Sequence, residues 1–87
     1  MSEFGYLDEL VTTIASREGG DPKVSHTAKL LKKGPKRIAK KLGEEAVEVA
    51  IAAVAGTKEE TIAESADLLF HLLVLWRSKS VTAAEVM

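Results

Sequence analysis

Two long predicted helices joined by a short turn decide the fold of this chain. Residues 35–78 read PKRIAKKLGEEAVEVAIAAVAGTKEETIAESADLLFHLLVLWRS. Gly56 is a candidate C-terminal cap, and Thr57 with a glutamate three residues later has the spacing of a capping box. The pattern predicts helices over 35–55 and about 58–78, packed antiparallel across this turn.

Shorter helices are predicted on both sides of this pair. Apolar residues repeat at intervals of three and four within residues 4–16, which indicates a first amphipathic helix. Ser25 is a candidate N-cap for a short helix through Leu31, and Thr82 with Glu85 repeats the capping-box spacing. We therefore expect a single all-α domain over residues 1–87, an antiparallel bundle of four to five helices. The apolar positions of the first helix are Phe4, Leu7, Leu10, Val11 and Ile14.

The helix over 58–78 carries an apolar run, Leu68 to Trp76, around most of its circumference. Such a helix must be covered on every side, and a chain of 87 residues has few helices to do so. We therefore expect a homodimer with this helix in the interface. The helix before it has a predicted interior of Ile38, Leu42, Val47, Ile51 and Val54.

Composition excludes several classes of protein. Cysteine is absent, so the chain has neither a disulfide nor a thiol nucleophile. It has no signal-peptide pattern and no apolar run of about 18 residues, so we expect a cytoplasmic protein without a membrane partner. The net charge of −1 argues against nucleic-acid binding.

Two acidic clusters, Glu44-Glu45-x-x-Glu48 and Glu64-x-x-Asp67, predict a metal site. Residues three apart on a helix project about 60° from each other, so each cluster forms an acidic corner. The residues four positions after Glu45, Glu48 and Glu64 are apolar, which leaves these acids without a local cation. Glu48 and Glu64 lie at similar distances from the turn, so the two corners should meet. Facing carboxylates favour a hard divalent ion, Mg²⁺ or alternatively Mn²⁺.

A basic segment directly precedes the first acidic cluster. Seven of the 12 lysines and arginines fall within residues 29–41, a density that suits a polyphosphate ligand beside a metal. The alternative is a solvated helix face, which charged runs usually are. Lys29, Lys40 and Lys41 are the candidate phosphate-binding residues.

Three further residues are candidate substrate contacts. His71 lies within about 20° of Glu64 on the helical wheel, although a histidine on an apolar helix is more often a hydrogen-bonded core residue. Ser25 and Thr27 could contact a phosphate, and helix capping explains Ser25 equally well.

The segments around these clusters resemble phosphoribosyl-ATP pyrophosphohydrolases of histidine biosynthesis, within the all-α nucleoside triphosphate pyrophosphohydrolases. The resemblance covers residues 25–76 and rests on SHTAKLL, a glycine at position 34, KKLGEEAVE and ESADLLFHLLVL. It implies Mg²⁺-dependent hydrolysis of phosphoribosyl-ATP to phosphoribosyl-AMP and pyrophosphate by a dimer. It also implies that a separate phosphoribosyl-AMP cyclohydrolase acts next. The resemblance implies that the metal ligands are Glu45, Glu48, Glu64 and Asp67. It also implies catalytic roles for Glu44 and Glu45. Glu44 would be either a further ligand or a base that orients the attacking water.

Two other functions remain open from the sequence. One is a house-cleaning pyrophosphatase that acts on non-standard nucleoside triphosphates through the same acidic signature. The other is a non-enzymatic helical dimerisation module whose acidic residues are merely exposed.

Overall fold

A computed structural model describes residues 5–87, which form five α-helices and no strand. This confirms the predicted all-α fold; Phe4 of the predicted first helix lies outside the described residues. The helices are α1 (Gly5–Arg17), α2 (His26–Lys33), α3 (Pro35–Ala55), α4 (Lys58–Ser78) and α5 (Ala83–Val86). No helix among these residues combines the length and the apolar character that a membrane crossing needs.

Side-chain caps fix where three of the helices begin. The Ser25 Oγ accepts a hydrogen bond from the backbone N–H of Ala28 at 3.1 Å, and the Thr57 Oγ1 accepts one from Glu60 at 3.1 Å. Thr82 and Glu85 form a complete capping box at the start of α5. These contacts satisfy backbone donors that have no partner within the first turn of a helix.

The turn between α3 and α4 requires a small residue. A Cβ atom at Gly56 would lie 2.9 Å from Glu60 Oε2 and 3.0 Å from the carbonyl oxygen of Ala52. Because a side chain would collide with the Ala52 backbone, glycine allows the chain to reverse within a few residues. The reversal places α3 and α4 side by side as the most extensive helix pair of the bundle.

The core lies where α1 and α2 pack on the α3–α4 pair. Its buried members are Ile14 of α1, Leu30 of α2, Ile38 of α3, and Leu73 and Val74 of α4. Each of the helices α1 to α4 therefore contributes to one apolar cluster, and this cluster fixes the relative positions of α3 and α4.

The predicted interior of α3 is wrong in its second half. Val47, Ile51 and Val54 are 58%, 59% and 89% exposed, whereas Ile38 is fully buried. Val47 follows Ile38 by nine residues, which is about half a turn around the helix axis, so the two project on opposite sides. The apolar run of α4 is largely covered within the chain, although Leu69 remains exposed. Ile62, which precedes the run, is exposed as well. Three large apolar residues therefore lie exposed on one side of α3.

Candidate metal centre

Three carboxylates from the two long helices form one cluster. Oxygen atoms of Glu45 and Glu48 on α3 and Glu64 on α4 all lie within 4.8 Å of one another. The antiparallel turn at Gly56 thus brings together the two acidic corners, as their distances from the turn predicted. Like charges at such a separation repel, so the arrangement favours either a shared proton or a bound cation.

Two oxygen atoms of the cluster have no partner. The Oε2 atoms of Glu45 and Glu64 are buried and accept no hydrogen bond from the described residues. A buried carboxylate oxygen without a donor is costly, because it has lost its water without gaining a replacement. Coordination of a cation would satisfy both atoms, and an all-oxygen ligand set suits Mg²⁺ or Mn²⁺.

The pKa values of two cluster members reflect this crowding. The pKa of Glu64 is raised to about 6, first by a hydrogen bond to Glu48, then by burial and by the charges of Glu48, Glu45 and Asp67. The pKa of Glu45 is raised mainly by burial and then by Glu48, while His71 acts in the opposite direction. Without a metal, Glu45 and Glu64 therefore hold protons more tightly than isolated carboxyl groups do.

Metal affinity is expected to increase as the pH rises through about 6. Protonated Glu64 stabilises the metal-free fold below its ordinary pKa of 4.5, and this stabilisation is lost as the pH rises through the folded value of about 6. Because a metal needs the ionised carboxylate, binding should be about tenfold weaker at pH 5 than at pH 7.5. Isothermal titration with Mn²⁺ at the two pH values measures this difference.

The Glu64→Gln variant is the control for that titration. It should bind Mn²⁺ weakly at both pH values and lose most of the pH dependence, because the substitution removes the carboxyl group whose pKa is about 6. Equal affinity of the wild-type protein at pH 5 and pH 7.5 would contradict the assignment.

His71 is a buried polar residue beside this cluster. Its Nδ1 donates a hydrogen bond to the carbonyl oxygen of Asp67 at 2.8 Å, which leaves Nε2 as the acceptor nitrogen of the neutral ring. The ring of Phe70 meets it edge-on at 5.2 Å between centroids, and Phe70 in turn stacks on His26 at 6.4 Å. His71 thus has the buried, hydrogen-bonded environment of a core histidine and also acts electrostatically on Glu45.

The remaining predicted acids lie around the cluster rather than in it. Asp67 is not among the three residues whose oxygens lie within 4.8 Å, although its charge raises the pKa of both Glu45 and Glu64. Glu44 is exposed and has a cation nearby, since the Lys41 Nζ lies 3.8 Å from its Oε2. Glu44 therefore differs from Glu45, Glu48 and Glu64, for which the sequence predicted no local cation, because Lys41 precedes it by three residues on the same helix.

The predicted phosphate-binding and substrate-contact residues have different surroundings. Lys29 and Lys40 are exposed, and Thr27 is half-buried. Ser25 caps α2, so its hydroxyl oxygen already accepts a backbone hydrogen bond. Lys40 lies about 140° from Glu45 around α3, whereas Lys41 lies about 40° from it and faces the cluster.

The structure also groups basic residues that the sequence did not indicate as phosphate-binding. Lys33, Lys36 and Arg37 line an open groove together with Lys40. All of them belong to the basic run of residues 29–41, but the run does not reveal which side chains converge across the junction of α2 and α3.

The fold and the cluster together define a class: an all-α protein with facing helical carboxylates suited to a divalent cation. The phosphoribosyl-ATP pyrophosphohydrolase family profile matches residues 7–87. The chain belongs to this family and is an enzyme of the hydrolase class.

Similar proteins cover nearly the whole chain. A phosphoribosyl-ATP pyrophosphatase of Paramagnetospirillum magneticum is 55% identical over 80 residues, which are 92% of this chain and 73% of the relative. A phosphoribosyl-ATP pyrophosphatase of Cereibacter sphaeroides is 52% identical over 81 residues, 93% of this chain and 79% of the relative. A histidine biosynthesis bifunctional protein of Vibrio cholerae is 51% identical over 85 residues, 98% of this chain but 40% of that longer protein.

Proposed function

We propose that this chain hydrolyses phosphoribosyl-ATP to phosphoribosyl-AMP and pyrophosphate, a step of histidine biosynthesis. The observation that carries the proposal is the cluster of Glu45, Glu48 and Glu64, in which two buried oxygens have no hydrogen-bond partner. Membership of the pyrophosphohydrolase family supports the choice of substrate.

The carboxylates of Glu45, Glu48 and Glu64 would hold a Mg²⁺ ion, with Mn²⁺ as the alternative and Asp67 as a further ligand. Such an ion would supply positive charge against the polyphosphate and would lower the pKa of the attacking water. Glu44 is exposed beside this site with the Lys41 Nζ 3.8 Å from its Oε2, and its carboxylate would orient the attacking water and accept its proton, with Glu45 as the other catalytic candidate. His71 is a positioning residue that holds the Asp67 backbone at 2.8 Å.

Lys41 has the best position to stabilise charge on the departing pyrophosphate. Its Nζ lies 3.8 Å from Glu44, and its side chain is 46% exposed and projects on the face of α3 that carries Glu48. A cation beside the reacting phosphates lowers the cost of the negative charge that develops as the bond breaks. Lys29 is the other candidate for contact with the substrate phosphates.

The experiment that tests the proposal compares substrates directly. Pyrophosphate release is measured with phosphoribosyl-ATP and with a panel of standard and non-standard nucleoside triphosphates, each with Mg²⁺. We expect phosphoribosyl-ATP to be cleaved with the highest kcat/KM. Preferential cleavage of non-standard nucleotides would indicate a house-cleaning pyrophosphatase, and no cleavage at all would indicate a non-enzymatic dimerisation module.

We further propose that the protein acts as a homodimer in the cytoplasm, with a separate phosphoribosyl-AMP cyclohydrolase as the next enzyme. An apolar surface on α3, lined by Val47, Ala50, Ile51, Val54 and Ala55, supports the dimer. Exposed apolar residues of this size on one helix face are more often an interface than a solvated surface. Helix α4 would contribute Ile62 and Leu69, which are also exposed.

Replacing Ile51 by glutamate is expected to dissociate the dimer. A charge introduced on the apolar surface of α3 would have to be buried without a partner, which disfavours association. Sedimentation velocity at micromolar concentration should show a dimer for the wild-type chain and a monomer for Ile51→Glu. Val24→Glu is the control, because Val24 is 85% exposed in the loop before α2 and should leave the dimer intact. A monomeric wild-type chain would contradict the proposal.

A further inference from the structure

A groove lined entirely by cationic side chains crosses the junction of α2 and α3. It has a volume of about 350 Å³, is open to solvent, and is bordered by Lys33 at the end of α2 and by Lys36, Arg37 and Lys40 in the first turns of α3. We call it the basic groove. Four converging cations form a surface that attracts anions, and phosphate groups in particular.

The charge of the basic groove is not compensated within the described part of the chain. Of the seven cations between residues 29 and 41, only Lys41 has a carboxylate within 4.0 Å among residues 5–87. Mutual repulsion is visible at Lys33, whose pKa is lowered first by Lys29, then by burial, and then by Arg37 and Lys41. An anion bound in the groove would relieve this repulsion.

The groove lies apart from the carboxylate cluster on the same helix. Arg37 precedes Glu48 by eleven residues. The two side chains therefore project in directions that differ by only about 20°, but their positions on α3 are about 16 Å apart along the helix axis. Lys36 lies about 180° from Glu45 around the helix, so the groove leads away from the cluster. A single phosphate group cannot contact the cluster and the groove at once, so a ligand that uses both must carry phosphate at two separate positions.

Phosphoribosyl-ATP has this arrangement of charges. It carries a triphosphate on one ribose and a phosphate monoester on a second ribose, with the adenine ring between them. We propose that the basic groove binds the phosphate monoester of the phosphoribosyl group while the carboxylate cluster faces the triphosphate. This inference rests on the proposed function and extends it, because a nucleoside triphosphate without the second phosphate would leave the groove unused.

Removal of two groove cations tests the inference kinetically. In Lys33→Gln/Arg37→Gln the KM for phosphoribosyl-ATP should rise at least about tenfold, with kcat within about twofold of wild type, because charge-assisted contacts to a non-reacting phosphate are lost. Lys23→Gln/Lys58→Gln removes the same charge from exposed positions outside the groove and should leave both constants unchanged. An unchanged KM in the groove variant would overturn the inference.

A binding experiment that needs no turnover separates this inference from the proposed function. Ribose 5-phosphate is titrated into ¹⁵N-labelled protein, with ribose as the matched ligand that lacks the phosphate. The amide signals of Lys33, Lys36 and Arg37 should shift with ribose 5-phosphate, remain still with ribose, and shift no longer in the groove variant. The absence of such shifts would overturn the inference even if the wild-type enzyme releases pyrophosphate.

Discussion

Glu48→Ala should reduce pyrophosphate release from phosphoribosyl-ATP by about a thousandfold and leave the helical fold intact. Several kcal/mol of transition-state stabilisation depend on the metal, and each 1.4 kcal/mol corresponds to a factor of ten in rate. Glu48 supplies one of the three clustered carboxylates but is itself exposed, so its removal opens no cavity. Its loss also removes the hydrogen bond and the charge repulsion by which Glu48 raises the pKa of Glu64.

Three measurements on this variant check the expectation. Pyrophosphate release should fall, Mg²⁺ binding by isothermal titration should weaken, and circular dichroism should report unchanged helicity. Glu59→Ala is the matched control, because Glu59 is an exposed acid in the first turn of α4 and lies outside the cluster. Undiminished pyrophosphate release by Glu48→Ala would overturn the metal-centre assignment.

Ile38→Ala should destabilise the fold more than any exposed substitution. Ile38 is fully buried and joins the core cluster formed with α1, α2 and α4. Truncation of a buried isoleucine to alanine typically costs about 2–5 kcal/mol, which is a large part of the about 5–15 kcal/mol that stabilises a typical domain. The loss should appear as a lower urea midpoint with an unchanged slope.

Val24→Ala provides the comparison for this prediction. Val24 is 85% exposed, and its truncation should change stability by less than about 0.5 kcal/mol. Both variants should be unfolded at the same protein concentration, since the stability of the proposed dimer would depend on concentration. If Ile38→Ala unfolds at the wild-type urea concentration, the assignment of Ile38 to the core is wrong.

The helix boundaries were predictable because local chemistry marks them. Ser25, Thr57 and Thr82 each accept the backbone hydrogen bond expected of an N-cap, and Gly56 occupies a position where a Cβ would collide with the preceding turn. Since the turn also fixes the register of α3 against α4, the approach of Glu48 to Glu64 followed from sequence spacing alone.

The face of α3 that points inward was not predictable from its apolar residues. Apolar side chains occupy both sides of this helix, so periodicity alone could not distinguish the core side, at Ile38 and Ala52, from the exposed side, at Val47 and Val54. The packing of α4 and α2 against α3 decides which side of α3 is buried. An exposed apolar face of this kind is typical of an interaction surface, and it supports the proposed homodimer.

Parts of the site also depended on three-dimensional structure. Lys41 precedes Glu44 by three residues, whereas the prediction of uncompensated acids rested on the residues four positions after Glu45, Glu48 and Glu64. The unpartnered oxygens of Glu45 and Glu64 depend on burial that the sequence does not encode locally. The basic groove requires Lys33 of α2 to approach Lys36 and Arg37 of α3 across the bend at Gly34, whose φ is +90°.

A crystal of the protein soaked in Mn²⁺ would test the metal centre most directly, because anomalous scattering locates the ion without reference to activity. We predict a peak between Glu45, Glu48 and Glu64, with carboxylate oxygens at about 2.0–2.3 Å, the range for a small divalent ion with oxygen ligands. An Mn²⁺ peak bound elsewhere on the chain, with none between these three carboxylates, would contradict the assignment.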